Sequence, residues 1–252
     1  MTTALAATIH DPDGKLLDAI ATHGAPLKAV FGIFAINVTV ATDPRIIDAV
    51  KRELGAHVIT HRTGECPIAK ARRDAVHLAL TQGGDTILHS DFDHMIRWID
   101  DKPDELRAIL TRQPDVEFLV VGRSAQAFAA SPRRLQETEK LVNHIHFLMT
   151  GDDWDLMFAV RRFNRRAAEL ITAQSHAQDL ANDVEWPLLA RRLGLRLGYA
   201  AADGLTYRTM EDFGGTADTH DADPAEWIKR VRIADEHART MAAFETKLQK
   251  SQ

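Results

Sequence analysis

The chain of 252 residues is 45% hydrophobic and 27% charged, enough to close a substantial core as one large domain or two small ones. Acidic residues number 36 and basic residues 31, a formal charge of −5 that gives no electrostatic reason to expect nucleic-acid binding. The single cysteine, Cys66, excludes an internal disulfide framework and a multi-cysteine zinc site, and the longest clean apolar run, residues 29–36, is too short to cross a bilayer.

The N-terminus lacks a basic start, and His10, Asp11 and Asp13 interrupt its apolar stretch. It does not read as a signal peptide, so a cytoplasmic protein without a transmembrane segment is expected. Residues 4–10 form a compact apolar run closed by the turn-forming Asp11-Pro12-Asp13-Gly14. A short helix with Leu16, Leu17 and Ile20 on one side follows, and residues 27–36 read as a buried strand ending at Asn37. Asp43 and Pro44 start a helix as cap and first residue, with Ile46, Ile47, Val50 and Leu54 on its apolar face. Residues 57–60 read as a strand, 68–81 as a helix ending at Gly83-Gly84, and 86–90 as a fourth strand. Strands that are apolar throughout, alternating with helices, predict an α/β layered fold with a largely parallel sheet. Ligands of such sheets bind at the carboxyl ends of the strands. His10, Asp11, Asn37, Arg62, Asp91 and Asp93 stand at those ends.

The second half is less regular. Residues 103–110 read as helix, 116–122 as strand, and Ser131-Pro132 opens a long helix. Residues 157–160 read as a strand before the basic run 161–166, 183–193 as a helix with Pro187 in its first turn, and 195–199 as a last strand. From Pro224 an amphipathic helix is expected, with Asp223 and Glu226 at capping-box spacing and a stripe of Trp227, Val231, Ala234, Ala238, Met241 and Leu248. This reading divides the chain into a domain over 1–222 and an appended helix over 223–252, through which homo-oligomers would form.

The sharpest local feature is Ile87-Leu88-His89-Ser90-Asp91-Phe92-Asp93-His94. Two carboxylates one residue apart end an apolar strand, and along an extended backbone they share a face. They repel unless a cation lies between them, and hard divalent ions prefer carboxylate and phosphate oxygens. The functional reading is a metal between protein and a substrate diphosphate; the structural one is a solvated acidic loop with a helix cap.

The order of elements, with Thr8-Ile9-His10-Asp11-Pro12, Ile36-Asn37-Val38-Thr39, Ala71-Arg72-Arg73-Asp74 and Asp91-Phe92-Asp93, resembles the GT-A fold glycosyltransferases, most nearly those of family 2. In the second half, Phe158-Ala159-Val160-Arg161-Arg162 resembles the family's strand with paired arginines. Asn182-Asp183-Val184-Glu185-Trp186 resembles its Glu-Asp-x-Asp segment, and Gly194-Leu195-Arg196-Leu197-Gly198-Tyr199 its Gly-Tyr-Arg-Ile stretch. The resemblance implies a GT-A fold with helices on both faces of the sheet. It also implies metal-dependent transfer of a sugar from a nucleotide-diphosphate donor to an acceptor hydroxyl, inverting, with the acceptor unidentified. Two positions depart from the pattern: Asn37 replaces an aspartate, and Asn182-Asp183 replaces Glu-Asp. No Gln-x-x-Arg-Trp signature is present, which disfavours a polymer synthase.

The roles implied are these. Asp91 and Asp93 would hold Mn²⁺ or Mg²⁺, with His94 and, from the C-terminal region, His220 as further candidate ligands. His10, Asp11, Asn37, Arg73, Asp91, Arg161 and Trp186 would contact the donor, with at most one of Arg161 and Arg162 entering the cleft. Asp183, with Glu185 as second candidate, would take the acceptor proton; the structural alternative for Asp183 is a helix N-cap. Tyr207-Arg208 has no histidine beside it to serve as a ligand, and a lid is placed at Phe213-Gly214-Gly215. The competing functions are a retaining GT-A transferase, a nucleotidyltransferase, and a catalytically silent binding relative. A nucleotidyltransferase would need a glycine-rich loop after the first strand, which Asp11-Pro12-Asp13-Gly14 does not supply. A haloacid-dehalogenase-type phosphohydrolase would carry its Asp-x-Asp after the first strand rather than the fourth.

Overall fold

Apolar runs with no alternation bury both faces once paired, and here they pair into one seven-stranded sheet. The computed structural model describes residues 1–62, 66–207 and 220–249, so Arg208 and the Phe213-Gly214-Gly215 segment lie outside the described residues. In chain order the elements are β1 (Thr3–Ile9), α1 (Leu17–Lys28), β2 (Ile33–Thr39), α2 (Pro44–Leu54), β3 (His57–His61), α3 (Ile68–Thr81), β4 (Thr86–Asp91), α4 (Phe92–Asp101) and α5 (Pro103–Thr111). Then come β5 (Phe118–Arg123), α6 (Ala125–Ala129), α7 (Arg133–Thr150), β6 (Val160–Asn164), α8 (Arg165–Gln174), α9 (Asn182–Arg192), β7 (Leu197–Ala202), a one-turn 3-10 helix (His220–Ala222) and α10 (Pro224–Gln249). The strand order is β3-β2-β1-β4-β6-β5-β7, with β6 antiparallel to both neighbours and the other pairs parallel.

Helices cover both faces, as expected. Leu5, Ile36, Leu88 and Val121 face α1, α2, α4 and α5 on one side. Ala4, Ala35, Ile87, Val120 and Phe163 face α3, α7, α8 and α9 on the other, where α10 adds Met241. Among the described residues no helix is long and apolar enough to cross a membrane.

Three boundaries differ from the sequence reading. The run from Leu27 is not strand: α1 continues through Pro26 to Lys28, and β2 begins at Ile33. The sixth strand lies over Val160–Asn164, because Ala159 takes a left-handed φ of 56° that interrupts extension just before it. The basic run then splits: Arg161 and Arg162 are strand residues, and Asn164 caps α8 by accepting from the Ala167 amide at 2.8 Å. The C-terminal helix packs by part of its expected apolar stripe, Ala234 and Met241, and adds a histidine to the buried side. Val231 is exposed, whereas His237 and Met241 are fully buried against α7 and α9. Asp223 caps it through the Ala225 amide at 2.9 Å.

Candidate active site

Chain direction reverses beside β1: β2 and β3 are added on one side, and the chain then returns to place β4 on the other. At such a switch point the loops leave a crevice beyond the strand ends. Thr8 and Asp91 are opposite one another in the β1–β4 ladder, and the Thr8 hydroxyl donates to Asp91 Oδ1 at 2.7 Å. A cavity of about 410 Å³ opens there, lined by Thr8, His10, Asp11, Asp13, Lys15, Ile68, Asp91 and Asp93 among others. Asp93 reaches it from the first turn of α4.

Behind Asp91 stands a buried chain of charge. Arg72 of α3 donates from Nη2 to Asp91 Oδ2 at 2.7 Å and from Nε to Oδ1 at 3.3 Å. Its Nη1 donates to Asp183 Oδ1 at 3.0 Å and to Asn182 Oδ1 at 3.2 Å. His237 Nε2 lies 3.7 Å from the other oxygen of Asp183. Burial works to raise both carboxyls, but the Arg72 guanidinium outweighs it and holds Asp91 and Asp183 below the usual carboxylate range. Arg72 in turn is held charged, its pKa raised: burial opposes the charge, and Asp91 and Asp183 overcome it. Burial lowers Arg161 to about 10 and His89 to about 4, so His89 is neutral, donating from Nδ1 to the Ala159 carbonyl at 2.8 Å.

The structure brings together His10, Asp11, Asp91 and Asp93, and it separates the rest. His10 lines the cavity with Nδ1 2.8 Å from the Thr39 hydroxyl. Asp11 also lines it, but its carboxylate is committed to the Lys15 and Leu16 amides at 3.0 and 2.8 Å, capping α1. Asn37 is buried: its amide donates to the Ala71 carbonyl at 3.1 Å, so its oxygen receives the His61 Nδ1 proton at 2.7 Å. It ties α3 to β3 rather than facing a ligand.

Arg73 is a correction. It points to the α8–α9 connection, donating to the Ala177 carbonyl at 3.1 Å, and Arg72 is the arginine of the site. Helical phase decides between them: Arg72 falls in the buried stripe with Ala69, Val76 and Ala79, one or two turns apart, and Arg73 does not. Arg161 is likewise interior, donating to the carbonyls of Leu156, Val160 and Asp183. Arg162, on the opposite face, gathers the carbonyls of Ile109, Arg112 and Gln113. Neither enters the cavity. Trp186 is fully buried with its ring edge-on to His89 and Phe163, which removes it as a sugar platform.

Asp183 is neither the N-cap of α9, a position taken by Ala181, nor open to the cavity. One of its oxygens meets Arg72 and the other faces His237, so it cannot reach an acceptor proton. Glu185 is bound to the Ser175 hydroxyl and to the His176 amide at 2.8 Å, away from Asp91. His94 stacks on Phe158 with ring centroids 4.1 Å apart and does not line the cavity. His220 precedes Asp221, which caps α7 through the Arg133 and Arg134 amides. Among the described residues no three His, Cys, Asp or Glu side chains converge as a metal cage. The pair Asp91 and Asp93 on one cavity wall still fits a hard divalent ion of the kind that takes one or two carboxylates and completes its shell with phosphate and water.

A second, larger cavity of about 630 Å³ lies at the carboxyl end of β5, lined by Phe128, Gln136, Lys140, His144, Asp153, Trp154 and Tyr199 among others. Arg123 and Asp155 also line it, and Arg123 lies 5.0 Å from the Phe158 ring on which His94 stacks. Tyr199 fits beside β5 because Gly122 leaves room where a Cβ would strike its hydroxyl. Sequence reasoning missed Arg72, Lys15, Arg123 and this cavity; only Arg72, standing within Ala71-Arg72-Arg73-Asp74, carried a readable signal.

No protein-family model matches the chain, and no curated protein matches it in sequence. Among solved structures it is similar to glucosyl-3-phosphoglycerate synthase from Mycobacterium tuberculosis in complex with Mn²⁺, UDP-glucose and phosphoglyceric acid. The TM-score is 0.57 at 12% identity, over 96% of this chain and 79% of that one. The same enzyme with phosphoglyceric acid alone gives 0.51 at 13% identity, over 91% and 79%. A mycobacterial protein gives 0.52 at 17% identity, over 84% and 70%. The likeness is one of fold, and the fold is GT-A.

Proposed function

We propose that this chain is a glycosyltransferase that moves a sugar from a nucleoside-diphosphate donor to an acceptor hydroxyl. The observation that carries the reading is the pair Asp91 and Asp93 on the wall of a cavity at the β1–β4 switch point of a GT-A sheet. A similar fold is occupied by Mn²⁺ and UDP-glucose in the mycobacterial synthase, which agrees with it.

Asp93 and Asp91 would hold Mn²⁺ or Mg²⁺, which neutralises charge on a leaving diphosphate. Arg72 keeps Asp91 ionised and fixed in direction, so the carboxylate is presented without reorganisation. Lys15, on the same wall, supplies a cation toward the diphosphate, and His10 a polar contact to the nucleotide. The acceptor enters by the larger cavity at the carboxyl end of β5, whose aromatic and polar lining suits a polyhydroxylated molecule. An inverting displacement needs a carboxylate on the acceptor side; Asp153, exposed on that wall, takes the place that Asp183 cannot.

The test is calorimetric titration of UDP into the protein with and without Mn²⁺, followed by turnover of UDP-sugars. Metal-dependent binding that Asp93→Asn abolishes supports the reading. Equal UDP affinity with and without metal, or in the variant, rejects it; a silent relative binds donor and turns over none.

A further inference from the structure

His237 is a fully buried ring from α10, far along the chain from the sheet's motifs, and its surroundings fix where its protons are. Nδ1 lies 2.6 Å from the Ile233 carbonyl, which only accepts, so Nδ1 carries a hydrogen. In a neutral ring Nε2 would then be a bare lone pair, and it faces Asp183 Oδ2 at 3.7 Å with no hydrogen-bond partner among the described residues. Two buried acceptors facing each other are unfavourable; a proton on Nε2 resolves both. That proton belongs to the ring, because Arg72 and Arg161 already favour the ionised form of Asp183.

We propose that His237 is a positioning residue: as an imidazolium it secures the outer oxygen of Asp183, leaving Arg72 shared between Asp183 and Asp91, and thereby sets the Asp91 carboxylate at the cavity. The connection is continuous, with Asp183 to Arg72 at 3.0 Å, Arg72 to Asp91 at 2.7 Å and Asp91 to Thr8 at 2.7 Å. Without the imidazolium, the outer oxygen of Asp183 loses its facing cation, the carboxylate draws harder on Arg72, and the guanidinium's hold on Asp91 loosens.

The charged groups around the ring are Asp183 of α9, Glu236 of its own helix, and Arg72 of α3 and Arg161 of β6 behind Asp183. The buried titratable groups of α7 are Arg134, paired with Asp221, Glu139, committed to Arg123 and Arg230, and His146, stacked on Trp154. Burial disfavours the charged ring, and Asp183 more than offsets it, so the ring stays protonated to higher pH than a surface histidine. Only the consequence for ligand binding rests on the donor-site reading; the protonation and the coupling to Arg72 do not.

The experiment is NMR of the full chain, following the His237 ring nitrogens and the Arg72 Nε–H signal from about pH 6 to 9. The expected result is two protonated ring nitrogens at neutral pH and a midpoint above the ordinary histidine value of about 6.5. Asp183→Asn should drop that midpoint, since the main group opposing burial is then gone. The Arg72 signal should move with the same midpoint, move likewise in His237→Leu, and stay near its wild-type position at all pH in His237→Gln, whose Nε2 donates without titrating. A neutral wild-type ring at pH 7 overturns the proposal, as does an Arg72 signal indifferent to both the titration and His237→Leu.

UDP affinity with Mn²⁺ should fall about tenfold in His237→Leu and recover in His237→Gln. If both NMR results hold and UDP fails to bind wild-type protein at any pH, the donor-site reading falls and the positioning role stands. Affinity that falls equally in His237→Gln and His237→Leu overturns the positioning role.

Discussion

Two buried arginine–carboxylate clusters sit at the carboxyl ends of neighbouring parts of the sheet, and they are put to different uses. At β5, Arg123 has no exposed side-chain surface: it donates to Asp155 from Nε at 2.8 Å and from Nη2 at 2.9 Å, and to Glu139 at 2.5 Å, with Arg230 closing the far side of Glu139. At β4, Arg72 is as deeply buried, but one partner, Asp91, keeps 24% of its side chain accessible at a cavity. The closed cluster joins β5, α7, α10 and the segment before β6; the open one sets a carboxylate on the wall of a cavity. Buried ion pairs are weak sources of net stability, and removing one member is costly because the rest remain charged. The closed cluster should therefore show up in folding, and the open one in binding.

The largest effect is expected from Arg123→Met, which strands Asp155 and Glu139 and should cost about 3–5 kcal/mol in urea unfolding. A loss below about 1 kcal/mol would mean the closed cluster is not a structural clamp. Asp93→Asn should do the reverse, leaving stability within about 0.5 kcal/mol while weakening metal-dependent UDP binding ~100-fold. Next comes the arginine pair. Arg72→Lys loses the fork that spans two carboxylates, and both stability (about 2 kcal/mol) and UDP affinity should fall. Arg73→Ala should cost about 1 kcal/mol with UDP affinity unchanged, and a matching loss of binding would show that the two sites are not separate.

A further effect is in pH. Asp91, Asp155 and Asp183 have folded-state pKa values depressed by their arginines, so their contributions are full above the unfolded value of about 4 and are lost as pH falls from there through the folded values. Glu139 has the opposite sign, because burial raises it and its ionisation disfavours folding. His237 is raised, so its contribution is full below the unfolded value of about 6.5 and is lost as pH rises through the folded one. Unfolding free energies from urea titrations should decline on both flanks by about 1–3 kcal/mol, and a stability that rises on acidification below about pH 5 would contradict the carboxylate assignments.

Much of this was legible in the sequence where the signal is local. The runs at residues 4–10 and 86–90 became β1 and β4, Asp43-Pro44 capped α2, and Asp91-Phe92-Asp93 ended its strand at a cavity. Errors came where two elements meet. Leu27 looked like strand because its apolar neighbours are shared with a helix end, and residues 157–160 looked extended because the left-handed Ala159 has no sequence mark. Arg72 over Arg73 was available from helical phase.

Sequence alone determined the layers of this protein and the place of its acidic strand end, because both follow from periodicity and from chemistry within a few residues. Only the tertiary structure decided that Asp183 faces inward, that Glu185 and Trp186 belong to the α8–α9 packing, and that a histidine of the C-terminal helix meets the site. Whether a charge is buried, and which charge answers it, depends on which helices stack on which face of the sheet, a long-range outcome that no local pattern encodes.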